Sequence, residues 1–157
     1  MCELKRVLVP QLGEIVIRPL HRPHDEGAFQ RFGAALAPDD LRLRFAVPTR
    51  WGPSAARRLV ALDGTAFAAF DHQGEILGLG DVVGKEIALA VRSDVKRRGL
   101  GRVLLERIVQ HALEHGMTEL LGSVLAENRP MLALARIAGF RAAGFEGTMV
   151  SLRLCLP

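Results

Sequence analysis

The stretch that decides the fold is residues 86–112, which read EIALAVRSDVKRRGLGRVLLERIVQHA. It begins with a short apolar run from Glu86 to Val91, in which Ala88 and Ala90 present small side chains on one face of a predicted strand. A basic turn, KRRGLG, follows and leads into a helix whose wide apolar stripe lies opposite charged residues. We therefore predict a strand, a turn and a packed helix, in which the turn is left free to bind a ligand.

The basic turn has the properties of an anion site. The N-terminus of a helix offers unpaired N–H groups and a partial positive charge of about half a unit, which favour a phosphate. Gly99 and Gly101 remove Cβ atoms where the backbone would approach the oxygens, and Lys96, Arg97 and Arg98 add positive charge. A solvated basic turn is the alternative interpretation. The segment contains neither the dinucleotide pattern G-x-G-x-x-G nor the G-K-[ST] of a P-loop.

The same residues resemble the signature of the GNAT family of N-acetyltransferases, which is Gln or Arg, two residues, Gly, one residue, then Gly or Ala. Gly99 and Gly101 match this signature, and Lys96 departs from it conservatively in the first position. Asn128, followed by Gly139-Phe140, is similar to the last motif of that family. The two motifs together make the resemblance specific.

The resemblance implies that acetyl-CoA is bound as the acyl donor. The turn would hold its pyrophosphate, the backbone of the preceding strand would pair with the pantetheine arm, and Asn128 would either contact the cofactor or cap the following helix. The cofactor-binding residues implied in this way are Leu89, Val91, Lys96, Arg97, Arg98, Gly99, Leu100, Gly101, Arg102 and Asn128.

A narrower resemblance covers most of residues 14–145. The segments 17–19, 38–45 and 126–135 look like the acetyltransferase domain of bacterial protein lysine acetyltransferases of the Pat type. This likeness implies that the acceptor is an amine, with a protein lysine as the first choice and a small amine as the second.

Acetyl transfer to an amine needs a base, because a lysine of pKa ~10.4 is neutral only about once in 2,500 at pH 7, a cost of roughly 4.6 kcal/mol. Glu86 begins the strand that would line the acetyl end, where the family often keeps a catalytic glutamate, and burial there would make it a stronger base. The alternative is a strand-end carboxylate paired with Lys85 or an arginine. Asp81 and Glu75 are weaker candidates for the base and are expected to be solvated hairpin residues.

The departing thiolate has no obvious acid in this chain. Many family members use a tyrosine after the Asn motif, but the chain contains no tyrosine, and Ala135 stands in the matching place. Water would then protonate the thiolate, which leaves readily. Ser123 is a second candidate donor, although a serine in a strand is more often structural.

Two other functions compete with an N-acetyltransferase. The missing tyrosine and Lys96 are also compatible with a non-catalytic acetyl-CoA-binding sensor module. His111 and His115 form an H-x-x-E-H motif, which in a zinc hydrolase places two ligands on one helical face. No third ligand is indicated, and histidines in a last helical turn also suit the helix dipole, so we predict no metal site.

The composition limits which other classes of protein this chain can belong to. The 157 residues, 49% apolar with a net charge of +4, predict one globular domain, and the few aromatic residues give no sign of a nucleic-acid surface. Two cysteines and no apolar run of about 20 residues favour a cytoplasmic protein without a membrane span. A homodimer is left open.

The predicted fold class is α+β. Residues 14–157 are expected to form a single GNAT-like domain with a mixed, mostly antiparallel sheet of about six or seven strands and helices on both faces. Residues 1–13 are expected to form either an N-terminal arm or an extra edge strand.

Overall fold

The computed structural model describes residues 4–60 and 64–157. Within these ranges, no helix is both long and apolar enough to cross a bilayer. The sequence also predicts a helix from Ser54 to Leu62, of which residues 61 and 62 lie outside the described residues. The elements, in chain order, are β1 (Lys5–Val9), β2 (Gly13–Pro19), α1 (Glu26–Ala35), α2 (Pro38–Phe45), α3 (Pro53–Leu59), β3 (Thr65–Phe70), β4 (Ile76–Val83), β5 (Glu86–Val91), α4 (Leu100–Glu114), β6 (Glu119–Leu125), α5 (Arg129–Ile137), β7 (Arg141–Glu146) and β8 (Met149–Cys155).

The strands of the described chain form one eight-stranded sheet in the order β1-β2-β3-β4-β5-β6-β8-β7. Every neighbouring pair is antiparallel except β5 and β6, which are parallel. The mixed, mostly antiparallel sheet with helices on both faces confirms the predicted fold class, with a slightly higher strand count. Strand β1 lies at one edge, and β7 lies at the other. The sequence analysis missed β7 because its residues, RAAGFE, lack an apolar alternation and are mostly exposed.

Helices α4 and α5 cover one face of the sheet, here called the α4–α5 face. The apolar stripe of α4 predicted from the sequence packs there, with Leu104, Leu105 and Ile108 all fully buried. The helix can approach β4 closely because two residues on this face are glycines. A Cβ at Gly78 would lie 2.8 Å from Leu104 Cδ1, and a Cβ at Gly80 would lie 2.8 Å from Ile108 Cδ1. The glycines of β4 therefore set how closely α4 packs on the sheet.

Helices α1, α2 and α3 cover the opposite face, here called the α1–α3 face. Phe29 and Phe32 of α1 and Leu59 of α3 form an apolar cluster with Leu79 of β4. Successive residues of a strand point to opposite faces, so Leu79 enters this cluster while its neighbours Gly78 and Gly80 face α4. Both faces of the central strands are thereby buried.

An ion pair fixes α1 to the sheet. Arg18 of β2 donates from Nη1 and Nη2 to the two carboxylate oxygens of Asp25 at 2.7 and 2.8 Å, and its guanidinium stacks on Phe70 at 3.9 Å. Asp25 is buried directly before α1 and also accepts the backbone N–H of His21 at 2.8 Å. The hydrogen bonds from Arg18, followed by that from His21, hold the pKa of Asp25 below its usual value although burial raises it.

Trp51 fixes the segment between α2 and α3 to α1. Its indole stands edge-on to Phe29, with 5.9 Å between the ring centroids, and covers Gly33 in the interior of α1. A Cβ on Gly33 would lie 2.1 Å from Trp51 Cη2, so only glycine leaves room for the ring.

We expect Gly33→Ala to destabilise the protein by about 1–3 kcal/mol because the whole indole must move, which outweighs the gain of up to about 1 kcal/mol in helix propensity. Gly27→Ala is the control on the same helix. A Cβ there would meet only the flexible tip of Arg31 at 3.2 Å, so a small stabilisation is expected. Urea unfolding measures both variants. A Gly33→Ala protein as stable as Gly27→Ala would show that Trp51 does not depend on this glycine.

Candidate functional site

The parallel strands β5 and β6 separate after a single bridge. Glu86 pairs with Leu121, and the N–H of Leu121 donates to the carbonyl of Lys85 at 2.8 Å. Beyond this point the two strands share no further pairing, although β5 stays paired along its length with β4 and β6 with β8. A gap therefore opens in the middle of the sheet.

The backbone of β5 faces this gap at Leu89 and Val91. The N–H of Arg92 donates to the carbonyl of Leu77 in β4 at 3.0 Å. In an antiparallel pair, residues alternate in facing the partner strand, so the odd-numbered residues of β5 direct their backbone groups away from β4. The bond from Leu121 to Lys85 agrees with that alternation. Leu89 and Val91 have no strand partner on the side of β6 within the described chain.

A cavity of about 340 Å³ occupies the gap. Helices on both sides of the sheet contribute to its wall, with Arg44, Phe45 and Arg58 from the α1–α3 face and Met131 and Ala135 from the α4–α5 face. The cavity therefore passes through the sheet. The strand residues in its wall are Asp81, Val83, Glu86, Ile87, Ala88, Leu89, Gly122, Ser123, Val124, Met149 and Leu152.

The N-terminus of α4 lies beside one end of the gap. Gly99 precedes the helix with a φ of 87°, in the left-handed region that favours glycine, and a Cβ there would meet no atom within 4 Å. The first helical hydrogen bond runs from the N–H of Val103 to the carbonyl of Gly99, so the earlier N–H groups of the helix have no partner four residues back. A Cβ on Gly101 would lie 3.9 Å from Val91 at the end of β5. The predicted anion site and the gap are therefore adjacent.

The ammonium group of Lys96 is not free to bind a ligand at the turn, because it is paired with a carboxylate. Its Nζ lies 2.5 Å from Oδ1 of Asp40, a buried residue of α2, which also accepts the hydroxyl of Ser93. Burial raises the pKa of Asp40, but the hydrogen bonds from Lys96 and Ser93 and the N–H of Ala37 lower it overall. The Lys96 side chain therefore connects the turn to α2.

The other cations of the turn differ in their pairing. Arg98 donates to Gln11 in the turn between β1 and β2, and Arg102 donates to Glu106 at 3.0 Å. Arg97 is exposed, has a φ of 62°, and has no ion pair or hydrogen bond from its side chain to any described residue. Of the three consecutive cations predicted to surround a phosphate, only Arg97 is without such a partner in residues 4–60 and 64–157.

Glu86 lines the cavity at the start of β5 but is exposed, so the expected burial of this carboxylate is wrong. The alternative pairing with Lys85 is not found either, because Lys85 donates to Glu119 at 3.0 Å. Among the described residues, Glu86 forms no ion pair. Its carboxylate is left open to both the cavity and solvent.

Asp81 was expected to be a solvated hairpin residue, and this prediction is wrong. It is only 5% exposed, lies in the middle of β4 and lines the cavity. Burial raises the pKa of Asp81 to about 6, although the positive charge of Arg44 opposes the shift. The available signal was the sequence of β4, ILGLGDVV, in which the one charged residue interrupts an apolar run that continues on both sides.

Two arginines share the cavity wall with Asp81. Nη2 of Arg44 lies 3.6 Å from Oδ1 of Asp81 and donates to the carbonyl of Leu59 at 3.3 Å. The guanidinium carbons of Arg44 and Arg58 lie 5.0 and 4.6 Å from the ring centroid of Phe45. Burial lowers the pKa of Arg44, the charge of Asp81 raises it, and the charge of Arg58 lowers it. The sequence assigns a role to neither arginine, because Arg58 lies in no motif and the resemblance of residues 38–45, which include Arg44, attaches no role to that residue.

Three more candidates lie at or near the β6–α5 side of the gap. The Asn128 side chain accepts the N–H of Met131 at 3.4 Å and so caps α5, while also lining the cavity. Ala135 is buried in the cavity wall where other family members are expected to have a tyrosine. Ser123 is exposed at the cavity.

His111 and His115 lie outside this cavity, near the end of α4. Their ring centroids are 4.1 Å apart, and Nδ1–H of His115 donates to the carbonyl of His111 at 2.8 Å. Burial, followed by the charges of His115 and Arg107, lowers the pKa of His111. Within the described ranges, no third metal-ligating side chain joins them.

The chain is similar to one protein family and to several solved structures. The model of the acetyltransferase (GNAT) family matches residues 34–140. The crystal structure of the GNAT domain of S. lividans PAT superposes with a TM-score of 0.85 at 23% identity, covering 98% of this chain and 97% of that one. A spermidine N-acetyltransferase from Vibrio cholerae, in complex with CoA and spermine, superposes with a TM-score of 0.69 at 15% identity, covering 90% and 95%.

At these identities, the structural similarities establish the fold. The family match covers more than half of the chain, including the strand, the turn and the helix that form the gap and the predicted anion site. The chain belongs to the acetyltransferase (GNAT) family and is an N-acetyltransferase.

Proposed function

We propose that this chain binds acetyl-CoA at the β5–β6 gap and transfers its acetyl group to a primary amine that enters from the α1–α3 face. The observation that carries the proposal is the cavity that passes through the sheet. It joins unpaired strand backbone beside the α4 N-terminus to a group of charged side chains on the other face. Two reactants can thus meet from opposite sides of one sheet.

The cofactor would occupy the α4 N-terminus and the gap. The diphosphate would accept hydrogen bonds from the backbone between Arg97 and Arg102, where the helix dipole and the free cation Arg97 favour an anion. The amide-bearing pantetheine arm would pair with Leu89 and Val91 as an added strand. Lys96 would act indirectly, by holding the turn against α2 through Asp40. Asn128 would shape the end of the gap as the cap of α5.

The chemistry is a direct transfer. The ammonium group first loses one proton, the neutral nitrogen attacks the thioester carbonyl, the C–N bond forms, the nitrogen loses its second proton, and the C–S bond breaks. We assign both protons in turn to Glu86, whose open carboxylate lies between the cavity and solvent and can pass each of them on to water. The CoA thiolate takes a proton from solvent, because Ala135 supplies none.

The acceptor is a primary amine in this proposal. A protein lysine is favoured by the Pat-type resemblance, and a small amine is the alternative. A non-catalytic acetyl-CoA sensor would need the gap and the turn but no carboxylate at the reacting end. Glu86 and Asp81 at the cavity therefore favour catalysis over sensing alone.

Asp81 carries a stability cost that fits a functional position. A carboxyl whose pKa is higher in the folded than in the unfolded protein opposes folding once it ionises. For Asp81 the rise from 3.8 to about 6 corresponds to about 3 kcal/mol. The cost is absent below about pH 4, grows up to about pH 6 and is complete above that.

We expect Asp81→Asn to become progressively more stable than the wild type as the pH rises. The difference in unfolding free energy should grow by about 3 kcal/mol between pH 4 and pH 7.5, because asparagine cannot ionise. Urea unfolding at several pH values measures this growth, with Glu75→Gln on the β3–β4 hairpin as a surface control. A difference that stays constant over this range would show that Asp81 is not desolvated.

Acetyl-CoA should stabilise the fold by about 2.7 kcal/mol at a hundredfold excess over its Kd, with desacetylated CoA also effective. Gly99→Ala should weaken this stabilisation, because its Cβ would stand on the open side of the turn. Gly74→Ala is matched to it, since both glycines have a positive φ and open space around a Cβ. Thermal unfolding measures both. No shift with either ligand at millimolar concentration would contradict the cofactor assignment.

Glu86→Gln should lower kcat for acetyl transfer by about 10²–10⁴-fold while leaving the Kd of acetyl-CoA unchanged, since a general base contributes in this range. The measurement is thiol release in the presence of amines, with Glu75→Gln as control.

The acceptor panel contains the twenty amino acids, Nα-acetyl-lysine methylamide, a lysine peptide and spermidine. An unchanged kcat would remove Glu86 as the base. Binding of acetyl-CoA without transfer to any amine would favour the sensor.

A further inference from the structure

The α1–α3 side of the cavity carries four charged groups that come from four different elements. Arg44 lies on α2, Arg58 on α3, Asp81 on β4 and Glu86 on β5, and all four line the same cavity. The two positive and two negative charges cancel formally. A net neutral site best complements an occupant whose own charges also cancel.

Asp81 and Glu86 lie at the negative pole of this site. Asp81 pairs across the strands with Ala88 and Glu86 pairs with Val83, so the two carboxylates project from the same face as diagonal neighbours. Asp81 is buried, yet the contact with Arg44 at 3.6 Å is too long for a hydrogen bond. Within the described ranges, no other side chain donates to it. A protonated amine in the cavity would donate the hydrogen bonds that no side chain of the described residues supplies to Asp81.

Arg58 lies at the positive pole. Its guanidinium is held against Phe45, which also carries the guanidinium of Arg44. Arg44 is paired with Asp81, whereas Arg58 forms no ion pair or hydrogen bond with any described residue. The repulsion between the two arginines, added to burial, lowers the pKa of Arg44. An acidic group bound between Arg58 and Arg44 would relieve this repulsion and complete the charge balance.

We propose that the acceptor is a small zwitterion of amino-acid type, whose amine lies between Asp81 and Glu86 and whose acidic group binds Arg58 beside Arg44. This inference rests on the proposed function and narrows its acceptor from any primary amine to one that carries a carboxylate or a similar anion. It places the small amine ahead of the protein lysine.

The size and charge of the cavity separate this acceptor from the others. At about 340 Å³ the cavity is near the lower end of ligand pockets, and the pantetheine arm would take part of this volume, so only a small acceptor can reach both poles. A lysine side chain brings an amine but no acidic group of its own. A polyamine brings several positive charges and would place one of them beside Arg58, which costs affinity.

The test compares acceptors that differ only in their acidic group. The wild type is assayed with acetyl-CoA and the amino acid that it acetylates fastest in the panel above, and then with the carboxamide of that amino acid. A charge-assisted contact to the carboxylate predicts a preference of about ten- to a hundredfold in kcat/KM for the free acid. Most of the difference should lie in the KM of the acceptor.

Arg58→Gln and Arg57→Gln form a matched pair of variants. Both arginines are exposed on α3, but only Arg58 lines the cavity. The preference should fall to about one in Arg58→Gln, return in part in Arg58→Lys, and stay at the wild-type value in Arg57→Gln. Intrinsic differences in reactivity between the two amines cancel when the variants are compared. Stabilisation by acetyl-CoA confirms that each variant is folded and binds the cofactor.

The outcomes separate this inference from the proposed function. Equal use of acid and carboxamide, equal effects of the two Gln variants, or faster transfer to the lysine compounds or spermidine would overturn the zwitterion while leaving an acetyltransferase. Absence of both acetyl-CoA binding and transfer to every amine would overturn the proposed function and this inference with it.

Discussion

The loss of pairing between β5 and β6 is the feature on which the site depends. Backbone N–H and C=O groups in a sheet are normally paired, and a parallel pair of strands in the middle of a sheet would be expected to bond along its length. Here a single bridge at Glu86 and Leu121 holds the strands together at one end. The backbone of Leu89 and Val91 is left facing a gap in the most protected part of the sheet. An extended ligand with its own amides can satisfy those groups, which is the basis of the proposed cofactor site.

The packing of α4 and α2 fixes the positions of the elements on both sides of the gap. Gly78 and Gly80 let α4 lie close to β4, so that the helix N-terminus sits beside Val91. On the other face, Lys96 and Ser93 bind Asp40 and thereby fix α2 to the segment that leads into α4. The helix that carries Arg44 into the cavity is therefore tied directly to the turn of the predicted anion site. A movement of α2 would shift the turn, and a movement of the turn would shift α2, because the buried carboxylate of Asp40 joins them.

The charged side of the cavity is where the protein departs from the most stable arrangement. Asp81 is a buried carboxylate to which no side chain in residues 4–60 and 64–157 donates a hydrogen bond, and Arg44 is a largely buried arginine beside a second arginine. Apolar residues of similar size would cost less at both positions. Such groups are expected where binding or catalysis requires a defined charge. In the proposed function this charge orients the acceptor amine toward the thioester, and Glu86 at the open end removes its proton.

The sequence by itself determined the strand, the turn and the helix of residues 86–112, because apolar spacing, glycine and a basic cluster are local signals. It also determined the fold class and, through Gly99, Gly101 and Asn128, the family. Only the tertiary structure decided that Asp81 is buried and Glu86 exposed, that Lys96 is bound to Asp40, and that Arg44 and Arg58 meet at Phe45. These contacts join residues up to 56 positions apart, as in the bond between Asp40 and Lys96. The burial of a strand residue depends on the helix that packs over it, and that packing is not encoded in the residue's immediate neighbours.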